Sequence, residues 1–96
     1  MALVDTYQSL LALSRRMVES AIAEDWDSLL AMETERLALS AQLPMKLPSM
    51  PPADAQAIAQ AIRDILECTQ RVEEHARPWM DHVGGLLKAF GADVQS

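Results

Sequence analysis

The sequence predicts an all-α protein in which an antiparallel helical hairpin and a long third helix form a three-helix bundle. Alanine, leucine, glutamate and glutamine are abundant and β-branched residues are few, which favours helix over strand. Apolar residues also recur at helical spacing in three segments that are separated by turn and proline signals. We therefore expect residues 1–96 to form a single helical domain with one modest core.

The first predicted helix runs from about residue 3 to residue 23. Its apolar positions recur at alternating steps of four and three residues, as expected for one buried face of an amphipathic helix. Val4, Leu11 and Val18 widen this stripe. The positions of the stripe are Leu3, Tyr7, Leu10, Ser14, Met17 and Ala21.

The second predicted helix starts at Asp25, a favourable N-cap residue, and runs to about residue 43. We expect Trp26 to cover the end of the core beside the bend. A second, weaker apolar stripe lies about 120° around the helix from the main one. The main stripe is Trp26, Leu29, Leu30, Leu37 and Ala41, and the second is Met32, Leu39 and Leu43. Two stripes indicate either burial between two neighbouring helices or a second contact outside the bundle.

Four prolines between residues 44 and 52 separate the second helix from the third, which is predicted over about residues 53–83. Pro78 should kink the third helix, and Gly84-Gly85 should weaken or end it. Residues 84–96 form a C-terminal segment, for which a short fourth helix is an open alternative. The heptad-spaced positions are Ala55, Ile58, Ile62, Ile65, Thr69, Val72, Ala76, Trp79, Val83, Leu86 and Phe90.

The predicted third helix is longer than the hairpin that would cover it. At about 1.5 Å per residue it spans roughly 45 Å, against roughly 30 Å for the first helix. We expect the hairpin to cover it only to about residue 72. An apolar end without an intramolecular cover indicates a partner site, a fold-back element or a dimer contact. The residues beyond that cover are Trp79, Met80, Val83, Leu86, Leu87 and Phe90.

Composition limits the classes of partner and compartment. A net charge of −6 argues against nucleic acid and against an anionic membrane surface as partners. A single cysteine, Cys68, cannot form an internal disulfide, which fits a reducing compartment. We find neither a signal peptide nor an apolar run of the roughly 18 residues that a membrane span needs. These observations predict a cytoplasmic protein.

No motif for catalysis, cofactor binding or metal binding is apparent, so we expect neither an enzyme nor a metalloprotein. The carboxylates fall on solvent positions of the predicted helices. His75 and His82 share a helical face but lie seven residues apart, or about 10.5 Å along the axis, which is too far for one ion without other ligands.

The first two predicted helices resemble the FliT-type flagellar export chaperones. The resemblance covers roughly residues 5–43, and the proline-bearing loop and long third helix fit the layout of that family. The matching residues are Tyr7-Gln8-Ser9-Leu10-Leu11-Ala12-Leu13-Ser14, Arg16-Met17, Asp25-Trp26-Asp27, Leu29-Leu30, Glu33, Glu35-Arg36 and Leu43.

The resemblance implies a cytoplasmic chaperone that binds the C-terminal helical segment of the filament cap protein, FliD. Such a chaperone prevents premature assembly of the cap protein and delivers it to the export gate and export ATPase. The family's C-terminal helix tends to fold over the binding surface, and related chaperones often present a tyrosine there to the gate. This chain has Phe90 in that segment, without the hydroxyl, so Phe90 is the candidate regulatory or gate-contacting residue.

We expect the partner helix to lie in a groove between the second and third helices, by helix-in-groove recognition. Two other functions remain open: a homodimeric helical adaptor that pairs through its third helix, and a protein-level antagonist of a flagellar transcription activator. The candidate partner-binding residues are Met32, Leu39, Val72, Trp79, Met80, Val83, Leu86 and Leu87.

Overall fold

The chain folds into three α-helices in a computed structural model, which describes the backbone of residues 3–89 and the side chains of residues 3–82. Helix α1 is Leu3–Ile22, α2 is Trp26–Ser40 and α3 is Pro52–Ala89. No strand occurs within residues 3–89. The predicted all-α class, with a hairpin followed by a long third helix, is confirmed.

A tight turn joins α1 to α2. The Asp25 amide donates to the Ser20 carbonyl at 2.8 Å, and the Glu24 amide donates to the Ala21 carbonyl at 3.1 Å. This pair of bonds is the Schellman motif, which places its fifth residue in the left-handed region. Glu24 takes that position with φ of 58°. Asp25 then caps α2 by accepting from the Ser28 amide at 3.3 Å, so α2 starts where it was predicted to start.

Helix α2 ends at Ser40, three residues earlier than predicted. One further turn follows, in which the Leu43 amide donates to the Ser40 carbonyl at 3.0 Å. Pro44 has no N–H to extend the helix, and the chain continues without helix to Pro51. Helix α3 then begins at Pro52, because a helix tolerates proline in its first turn.

Helix α3 is continuous through Pro78 and through Gly84-Gly85 to Ala89. It therefore runs six residues beyond its predicted end near residue 83, and residues 84–89 continue α3 and do not form a separate fourth helix. Its 38 residues span about 57 Å at 1.5 Å per residue, which matches the 56 Å longest dimension of the molecule.

Helix α1 lies at the centre of the fold and packs against both other helices. Among the described residues, no Cα atom of α2 comes within 8 Å of a Cα atom of α3. The interpretation of α2 as a helix buried between two neighbours is therefore wrong, because α1 is the helix that packs against both of the others. The buried apolar residues are Leu10, Leu11, Leu13, Met17, Val18 and Ala21 of α1, Met32 of α2, and Ile58 and Ala61 of α3.

The hairpin covers α3 farther than the sequence indicated. We expected the cover to end near residue 72, with Trp79 beyond it. The ring centroids of Trp26 and Trp79 instead lie 5.2 Å apart, so the start of α2 reaches residue 79 of α3. The estimate from helix lengths was short because it took α3 to start level with the end of α2. Ser40 lies about 21 Å along α2 from Trp26, whereas Pro52 lies about 40 Å along α3 from Trp79, so α3 starts well beyond the end of α2.

Candidate partner-binding groove

An open groove lies between α2 and α3, with α1 as its floor. It exists because the backbones of α2 and α3 stay more than 8 Å apart along the described residues. The cleft at its centre has a volume of about 280 Å³. It is lined by Ser14 and Met17 of α1, Glu33 and Arg36 of α2, and Cys68, Thr69, Val72 and Glu73 of α3.

Large apolar side chains are exposed on α2 and on α3 beside this groove. On α2, Leu30 is 65% exposed and Leu37 is 57% exposed. These two residues lie within about 20° of each other at about 100° per residue, on the same face as Trp26. On α3, Leu66 is 62% exposed and Met80 is 61% exposed, and the two are joined along one face by Thr69, Glu73 and Ala76. This face of α3 is about 21 Å long from Leu66 to Met80.

An ion pair on the α2 wall supplies the groove's main polar feature. The Arg36 Nε atom donates to the Glu33 carboxylate at 3.0 Å, and a second guanidinium nitrogen bonds to the other carboxylate oxygen. The hydrogen bond from Arg36 is the largest influence on the pKa of Glu33 and lowers it, partial burial opposes this, and the charge of Arg36 lowers it further. Glu33 is therefore held ionised on the wall of the groove.

Each end of the groove is bounded by a different structure. At one end the proline-bearing loop places Leu47, Pro48 and Met50 against the first turns of α3, beside Ile58 and Ile62. At the other end, the indole rings of Trp26 and Trp79 meet with an angle of 31° between their planes.

The structure places the predicted site residues in three different settings. Met32 is only 8% exposed and belongs to the core cluster with Leu13 and Met17, and Leu39 and Val72 pack against that cluster. Trp79, 39% exposed, lies against Trp26, and Met80 is on the open wall. Val83, Leu86 and Leu87 lie on the last turns of α3, where only the backbone is described, and Phe90 lies outside the described residues.

Sequence reasoning missed Leu30, Leu37 and Leu66 as candidate contact residues. Leu30 and Leu37 were assigned to the main stripe of α2, whereas the candidate partner-binding residues Met32 and Leu39 came from the second stripe. In the structure Leu30 and Leu37 are exposed, while Met32 is buried and Leu39 packs against the core cluster together with Leu29 of the main stripe. The weaker apolar stripe of Met32 and Leu39 could have indicated this orientation. A helix that packs on a single neighbour needs only a narrow apolar face, which leaves the wider stripe free to contact a partner.

The histidines do not line the central cleft of the groove and lie near the turn between α1 and α2. His75 and His82 line a cleft there with Glu24, Trp26 and Trp79. Within the part of the chain that the structure describes, no group of three or more His, Cys, Asp or Glu side chains is placed to hold a metal ion. Over the same residues, no helix combines the length and the apolarity that a membrane crossing requires.

Comparison with known proteins identifies a family match. The family model described as flagellar protein FliT matches residues 4–94, nearly the whole chain. Searches of the curated proteins and of the solved structures found no match. The family match extends the resemblance seen over residues 5–43 to the loop and the third helix.

Proposed function

The chain belongs to the FliT family of flagellar proteins, and we propose that it is a cytoplasmic export chaperone for the filament cap protein, FliD. In this proposal the groove between α2 and α3 holds the C-terminal helical segment of the cap protein. The chaperone keeps that segment from assembling and delivers the protein to the export gate and export ATPase. The family match supports the general function as a flagellar chaperone, and the open groove supports the mode of binding.

The observation that carries the mode of binding is the exposure of apolar side chains on α2 and on α3 beside the groove. Leu30 and Leu37 lie within about 60° of groove-lining Glu33 around α2. Leu66 and Met80 lie within about 20° of groove-lining Glu73 around α3, and all four apolar side chains are more than half exposed. An amphipathic helix that laid its apolar stripe between them would bury both sets together. The length of the open α3 wall, about 21 Å, corresponds to about four helical turns of a partner.

The predicted site residues take different roles in this proposal. Met32, Leu39 and Val72 support the groove from the core, while Trp79 and Met80 contact the partner directly. Val83, Leu86 and Leu87 extend the α3 wall toward the C-terminus, and Phe90 follows as the regulatory or gate-contacting residue. We infer no catalytic step, because a binding groove of this kind accounts for the proposed function without one.

The test is calorimetric titration with the C-terminal segment of FliD. Leu37→Asp and Leu66→Asp should each weaken binding at least about tenfold, because each would place an unpaired carboxylate against the apolar face of the partner. Ala31→Asp is the matched control, since Ala31 is exposed on the face of α2 that points away from the groove. Parent affinity in both groove variants would place the site elsewhere.

A homodimer is a second candidate state, favoured by the heptad spacing of α3 together with the exposure of Leu66 and Met80. In that case a second copy of the chain would cover the α3 wall. The mass of the protein in solution, measured with and without the cap-protein segment, distinguishes this homodimer from a chaperone that binds the segment in the groove. A dimer that persists in the complex would exclude the α3 wall as the partner site.

A further inference from the structure

Two tryptophans bridge the helices that form the walls of the groove. Trp26 is the first residue of α2 and is partly buried, and Trp79 of α3 is 39% exposed. Their ring centroids lie 5.2 Å apart with 31° between the planes, which is within the range of favourable aromatic pairs. Within the described residues this is the one aromatic pair, and it joins α2 to α3 directly.

Helix α2 is the least firmly anchored of the three helices. Met32 is its only buried residue, and its backbone packs on α1 and nowhere approaches the described part of α3 within 8 Å. A helix that packs along a single neighbour can roll about the line of contact. Between its ends, α2 meets α3 only through side chains at the core cluster of Leu13, Met17 and Met32, against which Leu29, Leu39 and Val72 pack. The other constraints on the distance between α2 and α3 are the connections at the two ends of α2.

Those two connections differ in kind. At the Ser40 end the connection is covalent, through residues 41–51. At the opposite end α2 is joined by the turn to α1, and the contact with α3 is made by the indole of Trp26 against that of Trp79. Beneath this pair lies the end of α1, where Ala21 is 1% exposed. Loss of either ring would remove the aromatic contact that joins this end of α2 to α3.

We propose that the Trp26–Trp79 pair fixes the spacing of α2 and α3 and thereby sets the width of the groove, with Trp26 as a positioning residue. The consequence for binding rests on the proposed function, because it takes the groove as the partner site. A groove of fixed width receives the apolar stripe of a helix without first ordering α2, which lowers the entropic cost of binding. Trp26 acts in this way without contacting the partner.

The spacing is testable in the free protein. Spin labels on cysteines introduced at Thr34 and Gln70, both exposed and on opposite sides of the groove, report the α2–α3 distance in a Cys68→Ser background. The parent should give one narrow distance distribution. Trp26→Ala and Trp79→Ala should each broaden it, and the double variant should broaden it no further, because one contact is lost in all three.

Two variants serve as controls for this measurement. Trp26→Phe keeps an aromatic ring at the position and should keep the narrow distribution. Leu30→Ala removes an exposed apolar residue one turn along α2 without touching the pair, and should also leave the distribution unchanged. If Trp79→Ala does not fold, Trp79→Leu takes its place in the distance measurement, because leucine keeps apolar volume at this position but removes the aromatic ring. A parent-like distribution in folded Trp26→Ala and in a folded Trp79 variant would overturn the proposal.

The consequence for binding is tested by titrating the same variants with the C-terminal segment of FliD. Trp26→Ala should weaken binding about two- to tenfold, the range expected for one aromatic pair, while Trp26→Phe binds as the parent does. Parent affinity in Trp26→Ala with a broadened distance distribution would show that the spacing does not serve binding, and would overturn this consequence. Failure of the parent to bind would overturn the proposed function and leave the distance result standing.

Discussion

Arg36 lies one helical turn after Glu33 on α2, and its Nε atom donates to the Glu33 carboxylate at 3.0 Å on the wall of the groove. The two side chains satisfy each other, so the wall presents an ion pair and not a free carboxylate. The side chain of Glu33 is 39% exposed and that of Arg36 is 34% exposed, so solvent screens much of their attraction.

This pair predicts a small dependence of stability on pH. The folded-state pKa of Glu33 is lowered from its ordinary value of 4.5, chiefly by the hydrogen bond from Arg36. Its contribution is therefore fully present above pH 4.5 and is lost as pH falls through the folded-state pKa. We expect about 0.2–0.5 kcal/mol, as for other pairs at this spacing.

The measurement is urea unfolding of the parent and Glu33→Gln at neutral and acidic pH. The difference in unfolding free energy between the two should shrink as pH falls. Glu35→Gln is the control, because the carboxylate of Glu35 forms no ion pair within the described residues. A difference that stays constant with pH would mean that the pair contributes nothing to stability.

The orientation of α2 predicts a contrast between two apolar residues of similar size. Met32→Ala should lower the free energy of unfolding by about 2–4 kcal/mol, because it leaves a cavity beside Leu13 and Met17. Leu30→Ala should change it by less than about 0.5 kcal/mol, because Leu30 is 65% exposed. Equal losses in denaturant unfolding would mean that α2 is rotated relative to this structure.

The same contrast shows what could be predicted from the sequence and what could not. Helical periodicity predicted three helices, and the cap at Asp25 predicted the start of α2. Periodicity did not decide which face of α2 is buried, because the stripes of Leu30 and Met32 are both apolar. That choice depends on which neighbour the helix meets, and a single helix sequence does not contain this information.

A groove between the second and third helices was predicted, and the structure has an open cleft there. The prediction took the weaker stripe of α2 as the contact surface, and the structure places Met32 in the core. The contact between Trp26 and Trp79 was also missed, because it depends on where the loop places the start of α3. Length arithmetic cannot supply that offset, since the proline-bearing segment has no regular rise.

The turn between α1 and α2 predicts a stabilising substitution. Glu24 adopts φ of 58°, a conformation that costs a residue with a Cβ atom about 1–2 kcal/mol. Glu24→Gly removes that cost. Part of the gain is lost, because glycine raises the conformational entropy of the unfolded chain. We expect a net stabilisation of about 0.5–1 kcal/mol in thermal or urea unfolding. Ala23→Gly, one position earlier, lacks the positive φ and should not stabilise the protein.

Pro78 offers the last prediction, because it lies inside a helix that continues for eleven further residues to Ala89. Proline in a helix interior lacks an N–H and costs about 3 kcal/mol relative to alanine, part of which it returns by restricting the unfolded chain. If the proline served only as a local defect, Pro78→Ala would raise stability by about 1–2 kcal/mol. Arg77→Ala, at the adjacent exposed position, is the control for a change of side chain alone.

Pro78 also precedes Trp79, whose ring lies 5.2 Å from that of Trp26. We expect Pro78→Ala to raise stability and to keep the exciton signal of the two indoles in circular dichroism, because α3 already continues as helix through this position. Loss of that signal together with lower stability would contradict this expectation. It would mean that the helix needs the proline to direct Trp79 toward α2, and that the cost of the proline in α3 is offset by the contact that it permits.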